Sequence, residues 1–398
     1  MCLIGLRKCE AAVQDGELMF AIFESSVRCV ASFEQREARE EKECMDWLHG
    51  VIHEINPHTF QEIWTSKLDF FFEQVVKRPS MLYIVQMLFA SDTTSPSLTA
   101  IVLRHLCDKL DELGEQNDQR AVTTIRFFKM AFSAVTLFPD ANEVTLAGHL
   151  GRLIMDSFAL AAKATHPTHY LHLLRALFRA IGSGAGRFEL LYQGVLPLLP
   201  DMLECLSRQL MASDSQTRDL LVELCLTVPL RLTHLLPHLH YLMSPLVMAL
   251  QGGHELVSQG LRTLELCIDN LTGEFLDPIL KPVLRDLMDA LHGHLKPLPS
   301  NHHLAHTTIR ILGKLGGRNR RLLDESPHMQ YHDFSDHASL LVTFSGRACR
   351  IHITPMTKQA AHLMKKPNAN VVNAYNFLEQ ASILLLNEVQ KFFYLNFT

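Results

Sequence analysis

The amino-acid sequence predicts an all-α protein assembled from repeated pairs of helices. Apolar residues recur at intervals of three and four along most of the chain, which is the spacing of helices with one buried face. Short breaks rich in Pro, Gly, Asn and Asp separate these segments. Similar stretches return after about 40–45 residues, and a helical unit with this period is typical of a stacked repeat array.

The composition fits a protein with a large core. Of its 398 residues, 47% are hydrophobic and 20% are charged, which is not the composition of a disordered chain. The net charge of −5 argues against nucleic acid as a direct partner. The N-terminal sequence lacks the order of charged, apolar and small residues that marks a signal peptide, so it does not predict secretion. The sequence also contains no uninterrupted apolar run of about 18 residues, so it does not predict a membrane span. Nine cysteines without a Cys-x-x-Cys pair indicate a reduced, intracellular protein.

The first part of the chain divides into a charged, helical N-terminal segment, 1–44, and a long helical region, 45–398. The run EQREAREEKE in the first segment predicts a solvated helix end or linker. In FQEIWTSKLDFFFEQVVKRP, apolar residues stand three and four apart from Phe60 onward, and we expect this helix to end before Pro79. Further helices with short polar breaks follow.

The repeat is best defined between residues 171 and 323. The stretch 236–252 aligns with 277–293 at an offset of about 41 residues, so that Pro237 falls on Pro278. A two-helix hairpin cannot bury both of its apolar stripes alone, so the stripes recur until the array ends. The period and the helix-pair layout therefore predict a HEAT/armadillo-type α-solenoid.

Two departures from this pattern lie near the end of the chain. The stretch 339–354, SLLVTFSGRACRIHIT, is rich in β-branched and aromatic residues around a Ser-Gly pair, and it predicts a small β-hairpin inserted into the solenoid. The stretch 371–397 predicts a buried helix. Because solenoids usually end in a polar capping repeat, we expect this apolar end to correspond to an interior repeat of a longer protein.

The sequence Glu-Leu-Cys occurs twice in the repeats, ending at Cys225 and at Cys267. Glu223 and Glu265 stand two positions before these cysteines, so that on a helix each glutamate faces away from its cysteine and cannot share a ligand with it. We expect the cysteines to be packing residues and the glutamates to lie on the outer face. On this interpretation Leu266→Asp destabilises the array severely, and Glu265→Gln is nearly neutral.

Other stretches with the appearance of chemical motifs fail on spacing. The run NHHLAH places His302 and His306 one helical turn apart, which is a metal-ligand spacing, but no Asp, Glu or Cys accompanies them. The run HEINPH has Pro57 where a zinc protease needs its second histidine. GSGAG and GKLGGRNRR lack the residues of phosphate-binding loops. The sequence therefore predicts no catalytic, cofactor-binding or metal-ligating residue, although a basic cluster, Arg318, Arg320 and Arg321, remains a candidate contact for an acidic partner.

Several quoted stretches together resemble one family: TFQEIW, DTTSPSLTAIVL, LLRALFRAIG, LLYQGVLPLLP, LVELCLTVPLRL, LVSQGLRTLELCIDN and RILGKLGGRNRRLL. They are similar to the transformation/transcription domain-associated protein (TRRAP) family, the pseudokinase branch of the phosphatidylinositol 3-kinase-related kinases. The resemblance runs from about Glu40 to the C-terminus and is densest over 171–323. It covers only a stretch of the amino-terminal solenoid of the family, without the FAT and kinase-like domains.

The resemblance implies a non-enzymatic scaffold in the nucleus. Members of the family serve histone acetyltransferase complexes such as SAGA, so the expected partners are complex subunits and transcription activators. We expect no cofactor, no small-molecule substrate, no direct nucleic acid contact and no membrane. An importin-like transport receptor is the alternative within binding proteins, and a metal-dependent enzyme using His302 and His306 is the alternative from another class.

Overall fold

The computed structural model describes residues 15–33, 38–183, 187–229, 231–294 and 302–315, and the backbone of three strands between 328 and 353. These residues divide between two compact units, Met1–Leu235 and Leu236–Thr398. Helices account for nearly all of the part described with side chains, as the sequence predicts.

The first unit is a succession of helices, separated by short turns. They are α1 (Gly16–Ser32), α2 (Ala38–Glu54), α3 (Pro57–Lys77), α4 (Leu82–Phe89), α5 (Ser95–Asp108), α6 (Asp118–Leu137), α7 (Pro139–Ala161), α8 (Pro167–Ser183), α9 (Glu189–Val195), α10 (Leu199–Ala212), α11 (Ser215–Leu226) and α12 (Leu232–Leu235).

Helices of the first unit pack in two layers, because each contacts a helix of the next repeat as well as its own neighbour. In the first layer α1 packs on α3, α3 on α6, α6 on α8 and α8 on α11. In the second layer α2 packs on α4, α5 on α7 and α7 on α9. Because α1 and α2 already take part in these layers, stacking begins within the predicted N-terminal segment 1–44; the boundary at residue 44 stays a prediction.

Local sequence signals fix where several helices begin. The side chains of Asp15, Asn56, Asn117 and Asp214 each accept a hydrogen bond from the backbone N–H three residues further on, at the start of α1, α3, α6 and α11. Such caps satisfy donors that the helix itself leaves unpaired. Proline opens α3, α7 and α8, where its missing N–H costs nothing.

Aromatic side chains dominate the core at the start of the first unit. Trp64 lies at the centre, with its ring 5.5 Å from Phe23 and 5.2 Å from Phe71. All three residues are fully buried. Further along, the rings of Phe72 and Phe127 lie 5.4 Å apart and join α3 to α6. The apolar residues that stand three and four apart in the sequence therefore form the face that adjacent repeats bury against one another.

The second unit continues the helical pattern and then changes to strand. Its helices are α13 (His240–Leu250), α14 (His254–Asn270), α15 (Gly273–Leu280), α16 (Leu284–Gly293) and α17 (His302–Leu315). Within this unit α14 packs against α13 and against α17, and α13 packs against α16. The second unit thus has the same arrangement, in which a helix contacts its own partner and its equivalent one repeat away.

A proline recurs near the start of the second helices, and burial agrees with the predicted repeat alignment. Pro237 and Pro278 are both exposed, and each stands two residues before a fully buried leucine, Leu239 and Leu280. The local turn differs between the two repeats. Pro237 occupies the second position of a short 3₁₀ turn, whereas Pro278 lies inside α15 and the corresponding turn contains Pro282.

The predicted role of Leu266 is wrong. Its side chain is 53% exposed, whereas Leu264 is fully buried. The prediction came from matching TIRILGKLGG with the first helix of the repeat, which places Leu266 on Ile311, and Ile311 is fully buried in α17. The burial pattern instead matches Ile311 with Cys267, one position later. A shift of one residue turns a helix by about 100°, so it converts an exposed position into a core position.

Three antiparallel strands follow the last described helix, in the order β1 (His328–Phe334), β2 (His337–Phe344) and β3 (Arg347–Ile353). In the pairing of β2 with β3, Phe344 lies opposite Arg347 and Ala338 lies opposite Ile353. These strands overlap the stretch 339–354, but their backbone alone does not test an insertion into the solenoid, which stays a prediction. The predicted helix 371–397 lies outside the described residues.

Candidate interaction surface

The two Glu-Leu-Cys stretches are structural. Cys225 and Cys267 are 3% and 2% exposed, and burial raises the pKa of their thiols to about 12 and about 11. Since only a thiolate is a good nucleophile or metal ligand, neither cysteine is activated at neutral pH. The prediction that both are packing residues is confirmed.

The prediction that Glu223 lies on an outer face is wrong, because this residue is only 8% exposed. Its carboxylate accepts hydrogen bonds from Arg175, at 3.3 Å, and from Arg179, both on α8. A buried carboxylate is tolerated when cations and hydrogen bonds compensate it. These arginines stand 44 and 48 residues earlier, so no local pattern could reveal the pairing; only the repeat period brings the helices together.

Glu265 also departs from the predicted outer face, because its side chain is only 17% exposed and forms the same kind of contact in the second unit. The expectation that Glu265→Gln is nearly neutral is therefore wrong. Glu265 accepts hydrogen bonds from Arg310 and, at 2.8 Å, from Lys314, both on α17. The hydrogen bond from Arg310, followed by that from Lys314, lowers the pKa of Glu265 although partial burial opposes the shift. Glu223 therefore joins α11 to α8, one repeat earlier in the chain, and Glu265 joins α14 to α17, one repeat later.

Ion pairs of this kind form a ladder between successive repeats. The members that lie about one repeat apart include Glu24 with Lys67 (2.9 Å), Glu41 with Arg78 (2.7 Å) and Asp108 with Arg152 (3.0 Å). Glu41 is the most buried of these carboxylates, and its hydrogen bond from Arg78 lowers its pKa. The ladder supplements the apolar contacts by fixing which residues of adjacent repeats face one another.

One part of the first layer carries an excess of positive charge. Arg126 and Lys129 lie on α6, next to Arg175 and Arg179 of α8. Because α6 packs against α8, the four cations lie on two contacting helices. Burial, followed by the charges of Arg175, Arg179 and Arg126, lowers the pKa of the Lys129 amine. Glu223 is the carboxylate that balances two of them. We call these four side chains the basic cluster.

A cavity of about 570 Å³ lies beside the basic cluster, between α8, α9 and the end of α11. Arg179 belongs to both features. Apolar side chains form much of the cavity wall: Phe178, Ile181, Phe188, Leu226 and Val228. At its rim the guanidinium of Arg231 lies 4.9 Å from the centre of the Tyr192 ring and 3.9 Å from the Glu189 carboxylate. Cations thus stand next to an apolar recess.

The remaining predicted positions do not assemble into a reactive site. Among the residues that the structure describes, no group of three His, Cys, Asp or Glu side chains could hold a metal. His303 is exposed and His306 half-buried on α17, where burial and then Arg310 lower the pKa of His306; the side chain of His302 lies outside the described residues. In HEINPH, α2 ends before Pro57 and α3 begins there.

Two other sequence features fall partly or wholly outside the described residues. These are residues 184–186 of GSGAG, and Arg318, Arg320 and Arg321. Among the described helices, none is long and apolar enough to cross a membrane.

Stacked helix pairs, linked by apolar contacts and by ion pairs one repeat apart, define an α-solenoid segment. Comparison with family models gives its type. The Tra1 HEAT repeat central region matches residues 5–298, and the Tra1 HEAT repeat ring region matches residues 310–394. The first match begins at residue 5, whereas the resemblance noted in the sequence begins only at about Glu40.

Curated relatives agree with these models. The SAGA complex/NuA4 acetyltransferase complex subunit TRA1 of Saccharomyces cerevisiae is 39% identical over 361 residues, which cover 89% of this chain and 10% of the relative. The transformation/transcription domain-associated protein of Homo sapiens is 43% identical over 304 residues, which cover 76% of this chain and 8% of the relative. The chain belongs to the Tra1/TRRAP family. It matches the HEAT-repeat central and ring regions of that family, and it spans a tenth or less of these relatives.

Proposed function

We propose that this chain is a scaffold segment on which subunits of histone acetyltransferase complexes and transcription activators dock in the nucleus. The observation that carries the proposal is the similarity to a protein whose name is that of a SAGA and NuA4 complex subunit, over 89% of this chain. Stacked helix pairs suit this role because each repeat adds helix ends, turns and outer faces to an extended surface that protein partners can bind.

The ion-pair ladder supports a scaffold role. A docking surface spread over several repeats keeps its geometry only when adjacent repeats do not shift against each other. The pairs of Glu41 with Arg78 and of Glu223 with Arg175 and Arg179 place buried or half-buried charges at repeat junctions, where a shift would leave a carboxylate unpaired. We propose further that the hairpin 339–354 is a small insertion into the solenoid, which the antiparallel pairing of β2 with β3 supports.

Affinity purification tests the proposal. The tagged chain is incubated with nuclear extract, bound proteins are identified by mass spectrometry, and far-UV circular dichroism of the same preparation verifies the helical fold. We expect acetyltransferase-complex subunits among the bound proteins. A helical chain that recovers none of them would refute the docking role, and recovery of Ran and nuclear-pore proteins instead would favour a transport receptor.

A further inference from the structure

We propose that the basic cluster and the adjoining cavity form a binding site for an acidic peptide segment that carries a bulky apolar residue. The carboxylates of the peptide would pair with the cations on α6 and α8, and its apolar side chain would enter the cavity. This inference rests on the proposed scaffold function, because it names one place and one kind of partner for docking.

The charges available for a partner are on α6. Arg126 and Lys129 are exposed, and among the residues that the structure describes neither forms an ion pair. Arg175 and Arg179 are engaged by Glu223, yet the side chain of Arg179 remains 59% exposed. Two of the four cations are thus paired with a carboxylate and two are not, and this excess favours an anionic partner.

Apolar surface lies next to these charges. Val122 and Leu137 are 47% and 58% exposed on α6, and they stand on the same side of the helix as Arg126 and Lys129, one or two turns away. The cavity offers apolar walls within reach of Arg179. Its volume of about 570 Å³ exceeds that of an aromatic side chain. An apolar anchor in a recess surrounded by polar contacts is the usual composition of a peptide-binding hot spot.

This mixture fits a peptide better than it fits nucleic acid. Phosphate backbones bind to cations that continue along a groove, and they offer no aliphatic or aromatic side chain to an apolar recess. Here the cations are confined to neighbouring turns of two helices, and Glu189 stands at the rim of the cavity next to Arg231. The whole chain carries a net charge of −5, so the attraction for an acidic partner is local.

Two matched pairs of variants separate charge from shape. Lys129→Glu reverses a charge within the basic cluster, and Lys163→Glu makes the same change at an exposed position on another surface. Gly182→Phe places a ring at the wall of the cavity to obstruct it, because Gly182 lines the recess and a Cβ atom added there meets no heavy atom within 4 Å. Gly151→Phe is its control at an equally unobstructed position on α7.

The measurement is fluorescence anisotropy of a labelled peptide in which one phenylalanine is flanked on both sides by aspartates, titrated with the full chain. We expect binding that weakens as salt rises, roughly fivefold weaker binding for Lys129→Glu, and a loss of about tenfold or more for Gly182→Phe and for a peptide with alanine in place of phenylalanine. The control variants should bind like the unchanged chain, and circular dichroism should show every variant folded.

Equal binding by all five proteins, or no binding by the unchanged chain, would overturn the proposal. So would tighter binding of a single-stranded oligonucleotide with the same dependence on Lys129. Failure of peptide binding while acetyltransferase-complex subunits are still recovered from nuclear extract would refute this site and leave the scaffold function standing. Failure of both would refute both.

Discussion

Two neighbouring leucines of α14 give the sharpest test of how the repeats pack. Leu264 is fully buried, and Leu266 is 53% exposed. Leu264→Ala removes buried side-chain atoms and leaves a cavity, which costs about 3 kcal/mol in a packed core. Leu266→Ala removes atoms that are largely in water, so we expect a change within about 0.5 kcal/mol. The same chemical change, two residues apart, thus separates the buried face from the outer face.

The assay is urea unfolding followed by far-UV circular dichroism. Because repeat arrays need not unfold in one step, the two variants are compared with the unchanged chain under identical conditions, and the shift of the midpoint is read at constant slope. We expect a clear shift for Leu264→Ala and almost none for Leu266→Ala. Equal shifts, or a larger shift for Leu266→Ala, would refute the assignment of faces in α14.

Three further outcomes follow from particular contacts. Gly114→Ala should lower the thermal midpoint strongly, because a Cβ atom there would lie 2.8 Å from a ring carbon of Tyr170 and 2.5 Å from the Ala164 side chain; a midpoint equal to that of the unchanged chain would contradict the close approach. Ion pairing lowers the pKa of Glu265 from its ordinary 4.5, so its stabilisation should be present above about pH 4.5 and lost as the pH falls further. Glu265→Gln should therefore lower the midpoint at about pH 7 by an amount that shrinks as the pH falls below about 4.5, whereas a constant difference would exclude this pairing. Ellman's reagent should label Cys29, which is exposed, but not buried Cys267 until the chain unfolds; rapid labelling of Cys267 in the native chain would contradict its burial.

Much of the fold could be predicted from the sequence, because helical periodicity and the repeat period are local properties. They predicted the all-α class, the helix pairs and the packing role of Cys225 and Cys267. They could not fix the exact register throughout. The offset of about 41 residues that matches Pro237 with Pro278 agrees with burial. In the alignment of the first helices, however, a slip of one residue moved Leu266 into the core.

The interaction surface could hardly be predicted, because its members are far apart in sequence. Glu223 stands among apolar residues of α11, and nothing nearby shows that Arg175 and Arg179 would compensate its charge. The approach of Lys129 to these arginines likewise depends on the packing of α6 on α8. One signal was available: acidic and basic residues recur at separations close to the repeat period, and pairing them at that offset would have found the ladder.

The most direct test of the scaffold function is the recovery of acetyltransferase-complex subunits on the folded chain. Nuclear extract is passed over the immobilised full chain, and bound proteins are quantified by mass spectrometry against a resin that carries the chain unfolded by heat. Subunits of these complexes should be enriched on the folded chain alone. Equal recovery on both resins, or no subunit on a chain with a helical circular dichroism spectrum, would contradict it.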